Sequence, residues 1–344
     1  MFHVHLLSDT VQLAADDQLL ILNSAADPFV PVAAHQLPMG TIILAEDNIA
    51  ALQSAQAGIA HAGGTASQRL QHVAFHRYAA HYPPGTMNVA VINLLYQPSK
   101  AFITYGLEVA QYALKPGGHL YVSGAKNRGI LSVARRMHEQ FGNVETLDIK
   151  KGHRVICSVQ RNVVTDPADA IERTGFVPAV FAHGELDEGT QLLLEALEVH
   201  RTDEALDIGC GAGFIGMYIA GLASKGMVTM VDASLVAVDA ARTTAEQRGL
   251  TNIRVLASDG AQAVLSERFD LVVTNPPFHL GGIQTTETAE RFIREAVQVL
   301  RLRGRFYLVA NRFLKYEPIM RACFKTVEEV SGNARYKVLR CTQM

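Results

Sequence analysis

The chain lacks tryptophan, has only four cysteines, and contains no apolar run long enough to span a bilayer. The cysteines lie far apart, so their spacing fits neither a disulfide framework nor a zinc site; they are Cys157, Cys210, Cys323 and Cys341. The N-terminus also lacks the charged and then apolar pattern of a signal peptide. These absences predict a cytoplasmic protein, without a membrane partner, in a compartment that keeps thiols reduced.

Histidine is abundant, but the pattern of a metal site is missing. Among thirteen histidines, His72 and His76 have the i, i+4 spacing of a helical ligand pair. No carboxylate or cysteine accompanies them as a further ligand. We therefore predict no metal site and assign this pair surface or capping roles.

Excess positive charge is also missing from the chain as a whole. A formal net charge of −2 argues against a generally basic nucleic-acid binder. Residues 115–161 nevertheless hold nine Lys and Arg against three Asp and Glu, and residues 291–321 hold eight against two, a local +6 in each. Each stretch fits either an ordinary solvated face or a localised RNA-contacting surface.

The two halves of the chain repeat one pattern. With 344 residues and 49% apolar content, two domains can each bury a core. The strand that ends at Asn93 recurs as the strand that ends at Asn275, an offset of 275 − 93 = 182 residues. This repetition predicts an α/β fold with two tandem Rossmann-like domains, residues 1–162 and 163–344, joined at the proline-containing connection 162–167.

The first copy lacks the residues that would carry chemistry. Its first strand, 19–22, runs into Asn23-Ser-Ala-Ala without a glycine loop, and Leu94 and Leu95 stand where the second copy has two prolines. We expect the N-terminal domain to be degenerate, to bind no nucleotide cofactor, and to serve as a scaffold that positions RNA.

The second copy contains a glycine-rich turn between a strand and a helix. An apolar strand ends at Asp207, and Gly209, Gly211 and Gly213 precede a helix that begins near Phe214. Glycines permit a tight turn and a close backbone approach to a ligand. Because 211–216 also matches GxGxxG, a nicotinamide dehydrogenase remains an alternative here.

Two more predicted strands end near an acid. Asp232 follows the strand 227–231, and Asp259 lies just beyond the strand 253–257. Asp232 comes 232 − 207 = 25 positions after Asp207, which suits binding of ribose hydroxyls. One acid at a strand end is usually a turn residue or a helix cap. Three of them beside a glycine loop, on the carboxyl edge of one parallel sheet, favour a ligand site.

A fourth predicted strand, 269–274, leads into Asn275-Pro276-Pro277-Phe278. The two prolines fix the backbone and remove two donors, which leaves a rigid corner of carbonyls, a side-chain amide and an aromatic face. This corner can accept hydrogen bonds from a planar –NH2 group and stack on the ring that carries it. Such a corner is what a methyltransferase acting on an exocyclic amine requires.

Together these motifs resemble those of the class I S-adenosylmethionine (SAM) methyltransferases. Residues 275–285 and 309–314 further resemble the ribosomal RNA small subunit methyltransferase C family, whose members methylate N2 of a guanine in small-subunit (16S) rRNA. The resemblance covers the whole chain and implies that SAM is the cofactor and that rRNA or its assembly particle is the partner. Because two fused copies in one chain could supply what a dimer otherwise provides, we expect a monomer.

The resemblance also implies roles for individual residues. The catalytic residues would be Asn275, Pro276 and Phe278. The cofactor would be bound by Asp207, Gly209, Gly211 and Gly213 around methionine, by Asp232 at the ribose and by Asp259 at the adenine amine. Phe181 and Asp187 would close over the methionine end, although a linker with a helix cap explains 176–190 equally well.

Other functions remain open at this stage. A guanine-N2 methyltransferase of large-subunit rRNA would carry nearly the same motifs. A protein-glutamine N5-methyltransferase uses a similar corner on a planar amide, but its pattern has Tyr where Phe278 stands. A non-catalytic ribosome assembly factor with two vestigial folds is the alternative that is not an enzyme.

Overall fold

The computed structural model describes residues 6–61, 69–162, 187–277, 279–280, 283–284 and 286–343. The chain divides into two compact units, Met1–Val177 and Pro178–Met344. The predicted domain boundary after residue 162 adjoins the stretch 163–186, which lies outside the described residues, so its exact place stays a prediction.

The first unit is a seven-stranded sheet flanked by helices. Its strands are β1 Gln18–Leu22, β2 Thr41–Glu46, β3 Leu70–Ala74, β4 Met87–Asn93, β5 Leu114–Ala125, β6 Glu145–Lys150 and β7 His153–Val159. Its helices are α1 Leu6–Thr10, α2 Phe29–Gln36, α3 Ile49–His61, α4 Tyr78–His81, α5 Lys100–Ala113 and α6 Ile130–Phe141, with 3-10 turns at Phe75–Arg77 and Lys126–Arg128.

The second unit repeats this plan. Its strands are β8 Ala205–Ile208, β9 Val228–Asp232, β10 Ile253–Ala257, β11 Phe269–Thr274, β14 Leu300–Asn311, β15 Thr326–Gly332 and β16 Tyr336–Thr342, with a small hairpin of β12 His279–Leu280 and β13 Ile283–Gln284. Its helices are α7 Glu188–Ala196, α8 Phe214–Leu222, α9 Leu235–Gln247, α10 Glu287–Val299 and α11 Glu317–Cys323, with a 3-10 turn at Gln262–Val264.

Both sheets have the same strand order. The first runs β3-β2-β1-β4-β5-β7-β6 and the second β10-β9-β8-β11-β14-β16-β15. In each, five parallel strands are followed by one strand antiparallel to them (β7 or β16), and the border strand (β6 or β15) pairs antiparallel with that one. The predicted α/β fold with two Rossmann-like domains is confirmed, and the four strand ends of the second copy share one carboxyl edge as predicted.

Hydrophobic pattern explains why the central strands lie where they do. In β1 the four residues 19–22 are all buried, and in β8 all four residues are buried. A strand covered by helices on both faces needs such a continuous apolar run, whereas a strand with a solvated face alternates. Strand β6 at the sheet border is mostly exposed.

One detail of the sequence interpretation is wrong. His72 lies in β3 and His76 in a 3-10 turn, so the two do not share a helix face.

Among the described residues no group of His, Cys, Asp or Glu could hold a metal ion. Within that same part of the chain, no helix is both long and apolar enough for a bilayer.

Candidate functional site

The glycine turn after β8 is built from left-handed backbone. Gly209, Gly211 and Gly213 have φ of 74°, 54° and 83°, values that side-chain-bearing residues rarely adopt. A Cβ on Gly213 would also come within 2.9 Å of the Met217 methyl. The amides of residues 209 and 210 both donate to the carbonyl of Val231. The turn is thereby fastened to the neighbouring strand, and its backbone faces the carboxyl edge.

Asp207 lies beneath this turn and is fully buried. Its Oδ2 accepts from the Gly216 amide at 3.0 Å, which anchors the start of α8. Its Oδ1 has no hydrogen-bond partner among the described residues. Burial raises the pKa of Asp207 to about 7, and the nearby charge of Asp232 adds to the effect. The position therefore suits shaping the turn, and a positive charge bound nearby would offset the cost of this buried, unpartnered carboxylate oxygen.

Asp232 at the end of β9 closes the other side of the turn. Its Oδ2 accepts from the Gly211 amide and its Oδ1 from the Ser234 amide, both at 2.8 Å. Burial raises the pKa of Asp232, although these two hydrogen bonds oppose the rise. Each carboxylate oxygen keeps a second lone pair, so the side chain can still accept from a vicinal diol.

Asp259, beyond β10, is engaged by a residue from a distant helix. Its Oδ1 forms an ion pair with the Arg291 guanidinium at 2.5 Å. Glu295 lies four residues after Arg291 on helix α10. It accepts from the Ala261 amide at 2.8 Å and from the Gln262 side-chain amide at 2.7 Å. Helix α10 thus holds the loop after β10, and it leaves Oδ2 of Asp259 for other partners.

The proline corner lies at the end of β11, beside the glycine turn. The Thr274 hydroxyl donates to the Ile208 carbonyl at 2.7 Å, which ties the ends of β11 and β8 together. Pro276 is buried, while Asn275 and Pro277 are half-buried. Among the described residues, none donates to the Asn275 side-chain oxygen or to the Pro276 carbonyl.

A chain of hydrogen bonds fixes which way the Asn275 amide points. Thr190 donates its hydroxyl proton to Asp187 Oδ2 at 2.6 Å. Its oxygen can then only accept, and it accepts from Asn275 Nδ2 at 3.0 Å. Asp187, an acceptor as well, lies 3.4 Å from the same Nδ2. Both contacts require the NH2 end on this side, so the Asn275 oxygen is turned the other way.

Asp187 has a second role as the N-cap of α7. Its Oδ1 accepts from the Thr190 amide at 3.0 Å, which satisfies one of the free donors of the first helical turn. The sequence analysis offered this residue as either a cofactor contact or a helix cap, and the structure shows the cap together with the link to Asn275.

The first unit supplies a contrasting edge. Glu46 ends β2 as Asp232 ends β9, and it accepts from the Ala25 amide at 2.9 Å, as Asp232 accepts from the Gly211 amide. Both pairs of counterparts lie 186 residues apart in the sequence, 232 − 46 and 211 − 25. Buried Gln97 donates to the carbonyls of residues 22 and 23 and to that of Asn93. Asn93, the counterpart of Asn275, donates to Asp27 at 2.6 Å. The strand ends are thus satisfied internally by side chains.

Comparison with known proteins places the chain in a family. A family model described as "Methyltransferase small domain" matches residues 175–340. The ribosomal RNA small subunit methyltransferase C of Hahella chejuensis is 33% identical over 72% of this chain and 75% of its own length. Its Pseudomonas putida (strain W619) counterpart is 30% identical over 86% of this chain and 92% of its own length. The chain belongs to the ribosomal RNA small subunit methyltransferase C family.

A solved structure extends the likeness over both units of this family member. The T. thermophilus 16S rRNA N2 G1207 methyltransferase (RsmC), in complex with AdoMet and guanosine, superposes with a TM-score of 0.81 at 26% identity, covering 99% of this chain and 92% of that one. The recognition of the family and of a methyltransferase from the sequence is confirmed, and the dehydrogenase alternative is wrong.

For this methyltransferase C family member, the structure gathers most of the predicted site residues. It brings Asp207, Asp232 and the three glycines around one turn, and Asp187 beside Asn275. Phe181 and Phe278 lie outside the described residues, so their roles stay predictions.

The sequence analysis did not single out two residues of the site. Thr190 stands three positions after Asp187, the spacing of an N-cap and its N3 partner, and that spacing could have identified it. Arg291 is 32 residues from its partner Asp259 and gave no local signal.

Proposed function

We propose that this chain transfers a methyl group from SAM to the exocyclic N2 amine of a guanine in 16S rRNA. The observation that carries the proposal is the orientation of the Asn275 amide. Its NH2 end is held by Thr190 and Asp187, which leaves its oxygen, with the Pro276 carbonyl, to accept from an amine. The guanosine bound by the T. thermophilus relative carries such an amine.

The residues present fit a sulfonium cofactor. The turn through Gly209 and Gly211 brings backbone close to any ligand on the carboxyl edge. Asp207 is a buried acid with an unpartnered oxygen, and burial raises its pKa. A nearby positive charge would relieve that cost. Asp232 would accept from the ribose hydroxyls, and Asp259 would accept from the adenine amine through the oxygen that Arg291 leaves free.

The bound cofactor supplies a methyl group that is already activated on a positively charged sulfur. The protein therefore contributes mainly position. The guanine N2 lone pair is delocalised into the ring and is a poor nucleophile. Hydrogen bonds from its two N–H groups to Asn275 and Pro276 would orient the amine and favour a pyramidal nitrogen with a freer lone pair. No strong general base is required, because the amine proton can leave to water after transfer.

The target base must leave its stack to reach this edge, as in other enzymes that act on a base. Phe278 would stack on the extruded guanine, a contact of about 1–3 kcal/mol. The first unit would bind no SAM and would position RNA, since the counterpart strand ends are filled by Gln97 and Glu46. We expect a monomer, since the fused second copy can supply what a partner subunit otherwise would. We also expect the protein to act in the cytoplasm.

Mass mapping of modified nucleosides tests this function. Ribosomal RNA from cells lacking the protein should lose one N2-methylguanosine from 16S rRNA, and re-expression of the wild-type chain should restore it. A loss from large-subunit rRNA instead would select that alternative. Calorimetry should give one SAM per chain, and a stoichiometry of two would contradict the assignment of the first unit.

A further inference from the structure

A charged cleft of about 420 Å³ lies between the β14–α11 loop, helix α11 and the β15–β16 hairpin. It is lined by the cations Arg312, Lys315, Arg321 and Lys337, by Glu317 and Glu329, and by one proline. Its size is within the range of about 300–1,000 Å³ that is typical of small-ligand pockets. Its lining carries four positive side chains against two negative ones, a net positive charge.

Two of these four cations are already neutralised. Buried Lys337 pairs with Glu317 at 2.6 Å, and Arg312 pairs with Glu329 at 2.8 Å. Lys315 and Arg321 form no ion pair with any other described residue, and both are exposed. The excess positive charge of the cleft is therefore theirs.

The ion pairs also show which cations of the basic stretch 291–321 keep their charge unneutralised. Five of its eight cations are paired with carboxylates of the second unit, namely Arg291, Arg294, Arg301, Arg305 and Arg312. Arg303, Lys315 and Arg321 remain. Two of these three line the cleft, so the unpaired positive charge of a stretch that the sequence left open as either a solvated face or an RNA-contacting surface is concentrated here.

The cleft adjoins the candidate site. Arg312 donates to the Tyr336 carbonyl at 3.3 Å. The Tyr336 ring packs so close to Gly189 that a Cβ added at Gly189 would lie 3.1 Å from the ring. Gly189 stands between Asp187 and Thr190, which hold the Asn275 amide. The next residue in the chain after Arg312 is Phe313, which is 59% exposed.

We propose that this cleft binds a backbone phosphate of the single-stranded rRNA segment that carries the target guanine, through Lys315 and Arg321, while Phe313 stacks on a neighbouring base. The inference rests on the proposed function, because it assigns the cleft to the same substrate. Phosphate contacts fix the register of a nucleic acid and carry no sequence information. Stacking on an aromatic ring tolerates any base.

The test is RNA binding measured at several salt concentrations by fluorescence anisotropy, with a single-stranded 16S fragment that contains the guanine. The double variant Lys315→Ala/Arg321→Ala should bind about tenfold more weakly at low salt. Its slope of log affinity against log salt should shrink by about 0.7 for each phosphate that the variant no longer neutralises. Phe313→Ala should weaken binding with the slope unchanged, because stacking releases no counterions.

Arg303→Ala is the matched control, since it removes a cation of the same stretch that pairs with no carboxylate of the described residues and does not line the cleft. It should leave RNA affinity within about twofold, and all variants should keep wild-type affinity for SAM and guanosine. An unchanged slope in the double variant, or an equal loss with Arg303→Ala, overturns the proposal. If the double variant loses binding of inorganic phosphate but keeps its RNA affinity, the RNA assignment is overturned as well.

Failure of the proposed function would look different. In that case the wild-type chain would transfer no label from SAM to the RNA, while the double variant would still lose RNA affinity and salt slope relative to Arg303→Ala. That result would support the cleft and reject guanine methylation.

Discussion

Replacement of Thr190 by valine tests the hydrogen-bond chain that orients the Asn275 amide. Valine has the shape of threonine and fits its buried position, but it can neither accept from Asn275 nor donate to Asp187. Two hydrogen bonds are lost, the one to Asp187 at 2.6 Å and the one from Asn275 at 3.0 Å. The bond from Asn275 orients the amide directly, and a neutral hydrogen bond of this kind typically contributes about 0.5–1.5 kcal/mol. With about 1.4 kcal/mol for each tenfold in rate, kcat should fall by roughly 2- to 12-fold.

The assay is transfer of labelled methyl from SAM to 16S rRNA, with SAM affinity measured separately by calorimetry. Thr190→Ser is the matched control, because it keeps the hydroxyl and should retain kcat within about twofold. The reasoning is refuted if the valine variant also keeps its kcat, or if the serine variant loses as much. A loss confined to SAM affinity would instead return Asp187 and Thr190 to the cofactor-contact role.

Three further substitutions test the other parts of the site. Asn275→Ala should lower kcat by ~100-fold or more, in line with removal of a preorganised polar group, while SAM affinity in calorimetry changes little; turnover within a few-fold of wild type would remove the corner from catalysis. Asp232→Ala should weaken SAM binding by roughly 10- to 100-fold, the loss of hydrogen bonds to a charged group, and an unchanged dissociation constant would contradict its ribose role. Asp207→Asn tests pH dependence: burial raises the folded pKa from 3.8 to about 7, so the wild-type chain should lose stability relative to the variant as pH rises through that window, by up to about 4 kcal/mol above pH 7. Urea unfolding of both proteins at pH 5 and pH 8 spans about two of those pH units and should show about 2.7 kcal/mol of this loss, and a constant difference would exclude a raised pKa.

Local sequence identified the turn, the acids and the corner because each depends on a few consecutive residues. Left-handed backbone requires glycine at Gly209 and Gly213. A strand followed by an acid can be recognised from the one or two residues after the strand. The order of the strands then placed Asp207, Asp232 and Asn275 on one edge, since parallel strands present their carboxyl ends together.

Local charge counts were a weaker guide. The sequence assigned +6 to 291–321, but five of its eight cations are paired with carboxylates, and four of these pairs join residues distant in sequence, as in the pair of Arg305 with Asp203, 102 residues away. Such pairs form only when the sheet is assembled, so a linear count overstates the charge that RNA can meet.

The sequence by itself determined that the chain carries one α/β fold twice, that the second copy keeps a cofactor turn, and that a proline corner follows its fourth strand. These features follow from hydrophobic period, glycine backbone freedom and proline geometry, all of which act over a few neighbouring residues. Only the tertiary structure decided the direction of the Asn275 amide and the two cations left free in the cleft. Both depend on hydrogen bonds and ion pairs between residues tens of positions apart, which exist only once the strands and helices have packed.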